Sequence, residues 1–191
     1  MTIEINKIGS GEIYLQIMKL ICGDVSDKSV VDLMCYHSPY IPQMGFKKRT
    51  YVDIQDRKLD DKREQQFFVL SDVFDYLAHN KEVVDIMISS DGIEHLTSDK
   101  GLELISLMKQ RSDCQVLFTP LGENMVDKNA IHPDTHKSGW TPEIINYHFP
   151  DYFSFIVMPR FHTSFGAFFF WHNKDNYTSQ KINESLKSIQ W

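Results

Sequence analysis

Four times along this chain an aspartate stands at or just beyond the end of a short β-rich run: Asp32, Asp53, Asp72 and Asp91, at intervals of 21, 19 and 19 residues. Each interval has room for about one strand, one helix and their turns. The run Val83–Ser89 is apolar almost throughout, which suits a strand buried on both faces of a parallel sheet. Strands alternating with helical stretches require crossover connections, and these cover both faces of such a sheet. The expected class is therefore α/β, with ligands beyond the carboxyl ends of the strands.

The other elements follow from periodicity and punctuation. Ile13, Ile17 and Leu20 recur at helical spacing in Glu12–Ile21, and Gly23 ends that helix. Strands are expected over Ser29–Leu33, Thr50–Ile54, Gln65–Leu70, Val83–Ser89 and Gln115–Thr119. Phe153–Met158 and Gly166–Trp171 suit a final antiparallel pair. Helices are expected over Asp72–His79, Asp99–Arg111 and Pro142–Tyr147. A short one opens at Ser38-Pro39 and stops at Gly45. The polar stretch Gly122–Trp140 leaves the fifth expected strand at its carboxyl end and is expected to roof the pocket. The last dozen residues are polar, helical or frayed.

No repeat, low-complexity stretch or Gly/Ser linker divides the 191 residues, so residues 1–191 are expected to form a single domain. Twenty Lys and Arg against 26 Asp and Glu leave a net charge of −6. That argues against a broad electrostatic grip on nucleic acid or on an anionic membrane. The longest apolar run, Ala167–Trp171, is far too short to span a bilayer, and Met1–Asn6 has no basic-then-apolar pattern of a secretory signal. Three cysteines, Cys22, Cys35 and Cys114, form no CxxC pair and read as reduced thiols in a cytoplasmic protein.

An aspartate at a strand end has two readings. It can cap the following helix, or, after a second strand, accept two hydrogen bonds from a ribose diol. Several segments favour the second reading by resemblance. The series Val30-Val31-Asp32-Leu33-Met34-Cys35, Tyr51-Val52-Asp53-Ile54, Leu70-Ser71-Asp72-Val73 and Asp85-Ile86-Met87-Ile88-Ser89-Ser90-Asp91-Gly92-Ile93-Glu94-His95-Leu96 resembles the class I S-adenosylmethionine-dependent methyltransferases. So does the late segment His136-Lys137-Ser138-Gly139-Trp140-Thr141-Pro142-Glu143. The likeness spans about Glu12 to about Trp171. It implies a Rossmann-like, doubly wound, mostly parallel seven-stranded sheet with an antiparallel C-terminal strand. It also implies S-adenosylmethionine as cofactor, held by Asp32, Cys35, Asp53, Ile54, Ser71, Asp72, Val73, Ser90 and Asp91. Asp53 would take the ribose hydroxyls and Asp72 the adenine amino group.

The family's first loop reads acid-x-Gly-x-Gly-x-Gly. Here Met34, Tyr36 and Ser38 occupy the three glycine positions. Glycine serves there because it permits positive φ and lets a ligand approach the backbone. Positive φ costs other residues roughly 1–2 kcal/mol each, so the loop is expected to relax, with Ser38 and Pro39 starting a displaced helix. Two functions follow. One is transfer of a methyl group to an oxygen or nitrogen of a small-molecule substrate, with His95 or His136 as base. The other is a non-catalytic or repurposed member that has lost normal cofactor binding. It would act as a binding or scaffold partner, as a homodimer or by pairing with a related subunit.

Other polar groups have plainer alternatives. His95 can equally be a histidine that holds its loop. His132, Asp134 and His136 are zinc- or iron-ligand types, but their spacing matches no closed site and no metal is expected. Cys35 would be a nucleophile only with a stabilised thiolate, for which His37 is the neighbour. Lys47-Lys48-Arg49 reads as a solvated turn or a phosphate contact. Gly9-Ser10-Gly11-Glu12 reads as a capping stretch or an anion cradle. Phe168-Phe169-Phe170-Trp171 reads as core or as a base-stacking surface.

Overall fold

The structure, a computed structural model, describes residues 4–8, 11–38, 40–56, 66–122, 126–129, 131–159, 166–173, 181–182 and 184–185. The strands are β1 (Glu4–Ile8), β2 (Ser29–Leu33), β3 (Lys48–Asp53), β4 (Gln66–Leu70), β5 (Val84–Ser90), β6 (Ser112–Pro120), β7 (Phe153–Pro159) and β8 (Gly166–His172). The helices are α1 (Gly11–Cys22), α2 (Ile41–Met44), α3 (Val73–His79), α4 (Ser98–Arg111) and α5 (Pro142–His148), with a 3-10 turn at Ile93–His95. None of the helices among the described residues is long and apolar enough to cross a membrane.

One sheet holds all eight strands in the order β1-β7-β8-β6-β5-β2-β3-β4. Neighbours from β4 through to β6 are parallel, and β8 runs antiparallel to both β6 and β7. The expected seven-stranded sheet is thus β2 to β8. Strand β1 was not expected; it adds a parallel edge beside β7. Its pattern is hard to read because the register shifts between Ile5 and Ile8, which breaks the two-residue alternation that marks a strand.

The two faces are packed by alternate residues of the same strands. Val30, Ile86, Ile88, Phe168 and Phe170 face one core cluster, with Ile17, Met18 and Ile21 of α1. Val31, Leu33, Met87, Leu117 and Phe169 face the other, with Leu104, Ile105 and Met108 of α4. The buried stripe of α1 lies one step round from the expected one: Ile17, Met18 and Ile21 are buried, whereas Leu20 is partly buried. The chain winds outward through β2, β3 and β4, then returns to place β5 on the other side of β2. That reversal opens a crevice beyond the carboxyl ends of β2 and β5.

Helix α2 corrects one expectation. It starts at Ile41 with Pro42 in its first turn and ends at Gly45, whose φ is 88°. Ser38 is not its cap, because the Ser38 hydroxyl donates to the buried Asp32 carboxylate instead. Pro39 lies outside the described residues, as do Gly9, Ser10 and much of the final dozen.

The long segment after β6 is fastened to α4 by one close approach. Trp140 is buried, and a Cβ added at Gly101 would stand 2.2 Å from its Cζ2 and 2.7 Å from its Cη2. Alanine would gain roughly 1 kcal/mol of helix propensity there, but it would drive a methyl into an enclosed ring, a change that costs about 1–3 kcal/mol or more. Gly101→Ala is therefore expected to lower the melting temperature by several degrees, read by thermal unfolding. An unchanged or raised melting temperature would mean that the indole moves freely.

Candidate functional site

A cavity of about 650 Å³ lies in the crevice at the carboxyl ends of the strands, a size usual for small-molecule sites. The end of β2 and the turn after it supply Asp32, Met34, Cys35 and Tyr36 to its wall. The end of β3 supplies Asp53 and Ile54. The turn into α3 supplies Ser71, Asp72 and Val73, and the end of β5 supplies Ser90 and Asp91. All nine residues expected to hold a cofactor thus line one cavity. Pro133, Asp134 and Lys137 close it from the long segment after β6, as that segment's position implied.

The loop after β2 does not relax. Met34, Tyr36 and Ser38 take φ of 57°, 46° and 41°, the left-handed region, at the three positions where glycine was missing. The expectation of a relaxed loop was wrong because it left out what holds the backbone. The Cys35 N–H donates to the Val52 carbonyl at 3.1 Å, and the Ser38 N–H to the Cys35 carbonyl at 2.8 Å. The Tyr36 N–H donates to Asp53 Oδ2 at 2.9 Å, and the Ser38 hydroxyl to Asp32 Oδ2. Each hydrogen bond contributes about 1 kcal/mol, more where the acceptor is ionised. Together they offset the roughly 1–2 kcal/mol of strain per residue.

The carboxylates divide between structural work and an open valence. Asp72 caps α3, its Oδ1 accepting from the Phe74 N–H at 2.8 Å and the Asp75 N–H at 3.4 Å. Asp53 accepts from Tyr36 and, through Oδ1, from the Gln55 N–H at 2.9 Å. Asp32 is buried and its Oδ1 has no hydrogen-bond partner. Burial pushes its carboxyl up to about 7, against the Ser38 hydroxyl and with the Asp53 charge adding to the rise. A buried acceptor without a donor fits a ligand that brings a donor or a positive charge.

Tyr14 and Tyr40 form another part of the wall, a residue pair that sequence reasoning missed. Their rings stack at 4.3 Å between centroids, and the Tyr14 hydroxyl bonds Ser90 Oγ. Burial holds the Tyr14 phenol well above its ordinary range, so it stays protonated. Position 14 falls three and four residues before Ile17 and Met18, on the buried stripe of α1, which was the available signal.

Beyond Asp91, the 3-10 turn carries Glu94 and His95. The Lys137 and Ser138 N–H groups both donate to the Glu94 carbonyl, at 2.7 and 3.1 Å, and the Ser138 hydroxyl donates to the Ile93 carbonyl. These bonds bring His136 beside His95, with ring centroids 5.0 Å apart. Burial lowers the His95 pKa, so its neutral form is favoured. Glu94 is buried; its Oε2 accepts from Thr119 Oγ1 at 2.9 Å. Burial and the Asp91 charge push its carboxyl up to about 8.

The remaining candidates fall elsewhere. His132 is exposed, its Nδ1 accepting from the Asp134 N–H, and His136 groups with Glu94 and His95 rather than with His132 and Asp134. The Cys35 thiol is buried and donates to the Tyr36 carbonyl at 3.7 Å, while the His37 ring packs on Tyr36. Lys47, Lys48 and Arg49 lie at the start of β3, opposite the cavity. The Arg49 guanidinium is buried there and donates to the Phe46 carbonyl. Phe168 to Trp171 are buried core.

No family model matches the sequence, and no curated protein does. Solved structures do match the fold. The DhpI–SAH complex shares 10% identity at a TM-score of 0.63, covering 86% of this chain and 86% of that one. The N-methyltransferase NodS from Bradyrhizobium japonicum WM9 shares 10% identity at 0.64, covering 86% of this chain and 96% of that one. Magnesium protoporphyrin IX methyltransferase (ChlM) from Synechocystis PCC 6803, with bound SAM, shares 15% identity at 0.59, covering 84% and 78%. The strand order, the antiparallel β8 and these likenesses together give the chain the Rossmann-like fold of the class I S-adenosylmethionine-dependent methyltransferases.

Proposed function

We propose that this chain binds S-adenosylmethionine in the cavity and transfers its methyl group to an oxygen or nitrogen of a small molecule. The observation that carries this reading is the convergence of Asp32, Asp53, Asp72 and Asp91 on one cavity, beside a loop that keeps left-handed backbone at Met34, Tyr36 and Ser38. Asp53 would accept from the ribose hydroxyls beside its bonds from the Tyr36 and Gln55 N–H groups. Asp72 would serve the adenine amino group, and Asp32 Oδ1 is the orphan acceptor for a cationic ligand group. When bound, the cofactor supplies an electrophilic methyl on a sulfonium. His95 lines the cavity in the neutral form that can take a proton from an acceptor. His136 stands behind it.

A net charge of −6 supports a small-molecule acceptor over nucleic acid or a membrane. Three buried free thiols suit a reducing, cytoplasmic setting.

A second reading rests on Tyr36. Its side chain, 53% exposed, stands where the family has a glycine, at the methionine end of the site. The chain would then be a binding partner, as a homodimer or with a related subunit. Calorimetric titration with S-adenosylmethionine and S-adenosylhomocysteine separates the two. Saturable one-to-one binding is expected, and its absence would favour the binding partner.

A further inference from the structure

Glu94, His95 and His136 each offer one ligand atom, and the three atoms lie within 4.8 Å of one another. Two of the polar atoms here lack partners: Glu94 Oε1 and His95 Nδ1 are buried and make no hydrogen bond. Glu94 itself is 1% exposed. Each orphan gives up its hydration with no hydrogen bond in return.

A cation between them has a defined reach. Ligand atoms about 2.0–2.2 Å from one metal ion stand at most roughly 4.4 Å apart. Small rotamer adjustments therefore close the set. We propose that Glu94, His95 and His136 bind one divalent transition-metal ion at the cavity wall.

The donor chemistry supports this. Two imidazoles and a carboxylate suit manganese, iron, cobalt or zinc, and three protein ligands leave further positions open. His95 also lines the cavity, so the ion would sit beside the space proposed for the acceptor. The Thr119 hydroxyl on Glu94 Oε2 and the Lys137 and Ser138 bonds to the Glu94 carbonyl fix the ligand geometry from behind. Sequence spacing concealed the set, because 41 residues separate His95 from His136. Metal binding does not depend on the methyltransferase reading. It does change what the imidazoles do: with the ion bound they are ligands, and without it His95 remains available as a base.

The test uses the untagged, chelator-stripped protein with Co²⁺ as probe and no cofactor. One equivalent is expected to bind and give ligand-field absorption bands. Glu94→Gln, His95→Ala and His136→Ala should each weaken binding by at least about 10–100-fold, while His132→Ala should leave it unchanged. Unfolding curves recorded in chelator check that each variant folds. A measurement on the wild-type chain needs no variant: Co²⁺ should shift the imidazole resonances of His95 and His136 ahead of those of the other six histidines. No saturable binding, binding indifferent to His95 and His136, or shifts centred on His132 would each overturn the proposal. A parallel titration with S-adenosylhomocysteine keeps failure of the metal site distinct from failure of the cofactor reading.

Discussion

Asp53→Ala is expected to lower affinity for S-adenosylhomocysteine by about 100-fold or more and to destabilise the chain as well. The first effect follows from two hydrogen bonds between an ionised carboxylate and a ribose diol, each contributing about 1.5–3 kcal/mol. The second follows from the contacts that the chain itself makes with Asp53. The structure has Asp53 Oδ2 accepting from the Tyr36 N–H and Oδ1 from the Gln55 N–H. Removing the carboxylate releases a strained residue at φ 46°. Calorimetry reads the affinity, and urea unfolding reads the stability. Adding Tyr36→Gly separates the two. It removes the steric cost of positive φ at the price of greater unfolded-state entropy, so it should recover stability without recovering the ribose contact. Unchanged affinity in Asp53→Ala would remove the ribose role.

Asp32 makes stability fall with pH. Its folded pKa of about 7 lies above the ordinary value of 3.8. Between those values the folded chain keeps a proton that the unfolded chain has lost. Its contribution is therefore fully present below about pH 4 and is lost as pH rises through about 7. At about 1.4 kcal/mol per pKa unit, the three-unit gap corresponds to an effect of order 4 kcal/mol. Asp32→Asn cannot ionise and keeps an acceptor for the Ser38 hydroxyl. It should be more stable than the parent at pH 9, with the difference shrinking towards pH 5. Unfolding curves at pH 5, 7 and 9 measure this directly. A constant difference across the three would show that Asp32 is already ionised at pH 5.

Local pattern carried most of the fold. The apolar runs of β2, β4 and β5 and the acid-capped start of α3 were readable because their signals lie within a few residues. The alternation of strand and helix then implied the parallel sheet and the edge where a site must sit. The aspartates at the ends of β2, β3 and β5 and at the start of α3 were legible on the same ground, since about one strand-helix unit separates each from the next.

Sequence by itself thus determined the class of fold, the sheet edge and the acidic residues along it. Tertiary structure alone decided what those residues do to each other. Tyr36 can hold a glycine-like φ because Asp53, 17 positions later, accepts its N–H. Ser38 leaves helix α2 because a buried Asp32 takes its hydroxyl. His136 meets Glu94 and His95 because backbone bonds from Lys137 and Ser138 fold the long segment back. Tyr36 and His136 find their decisive partners far along the chain and near in space, while Asp32 stands only six positions from Ser38 and acts through its burial. Burial then sets the strength of the interaction, and no periodicity along the chain encodes that burial.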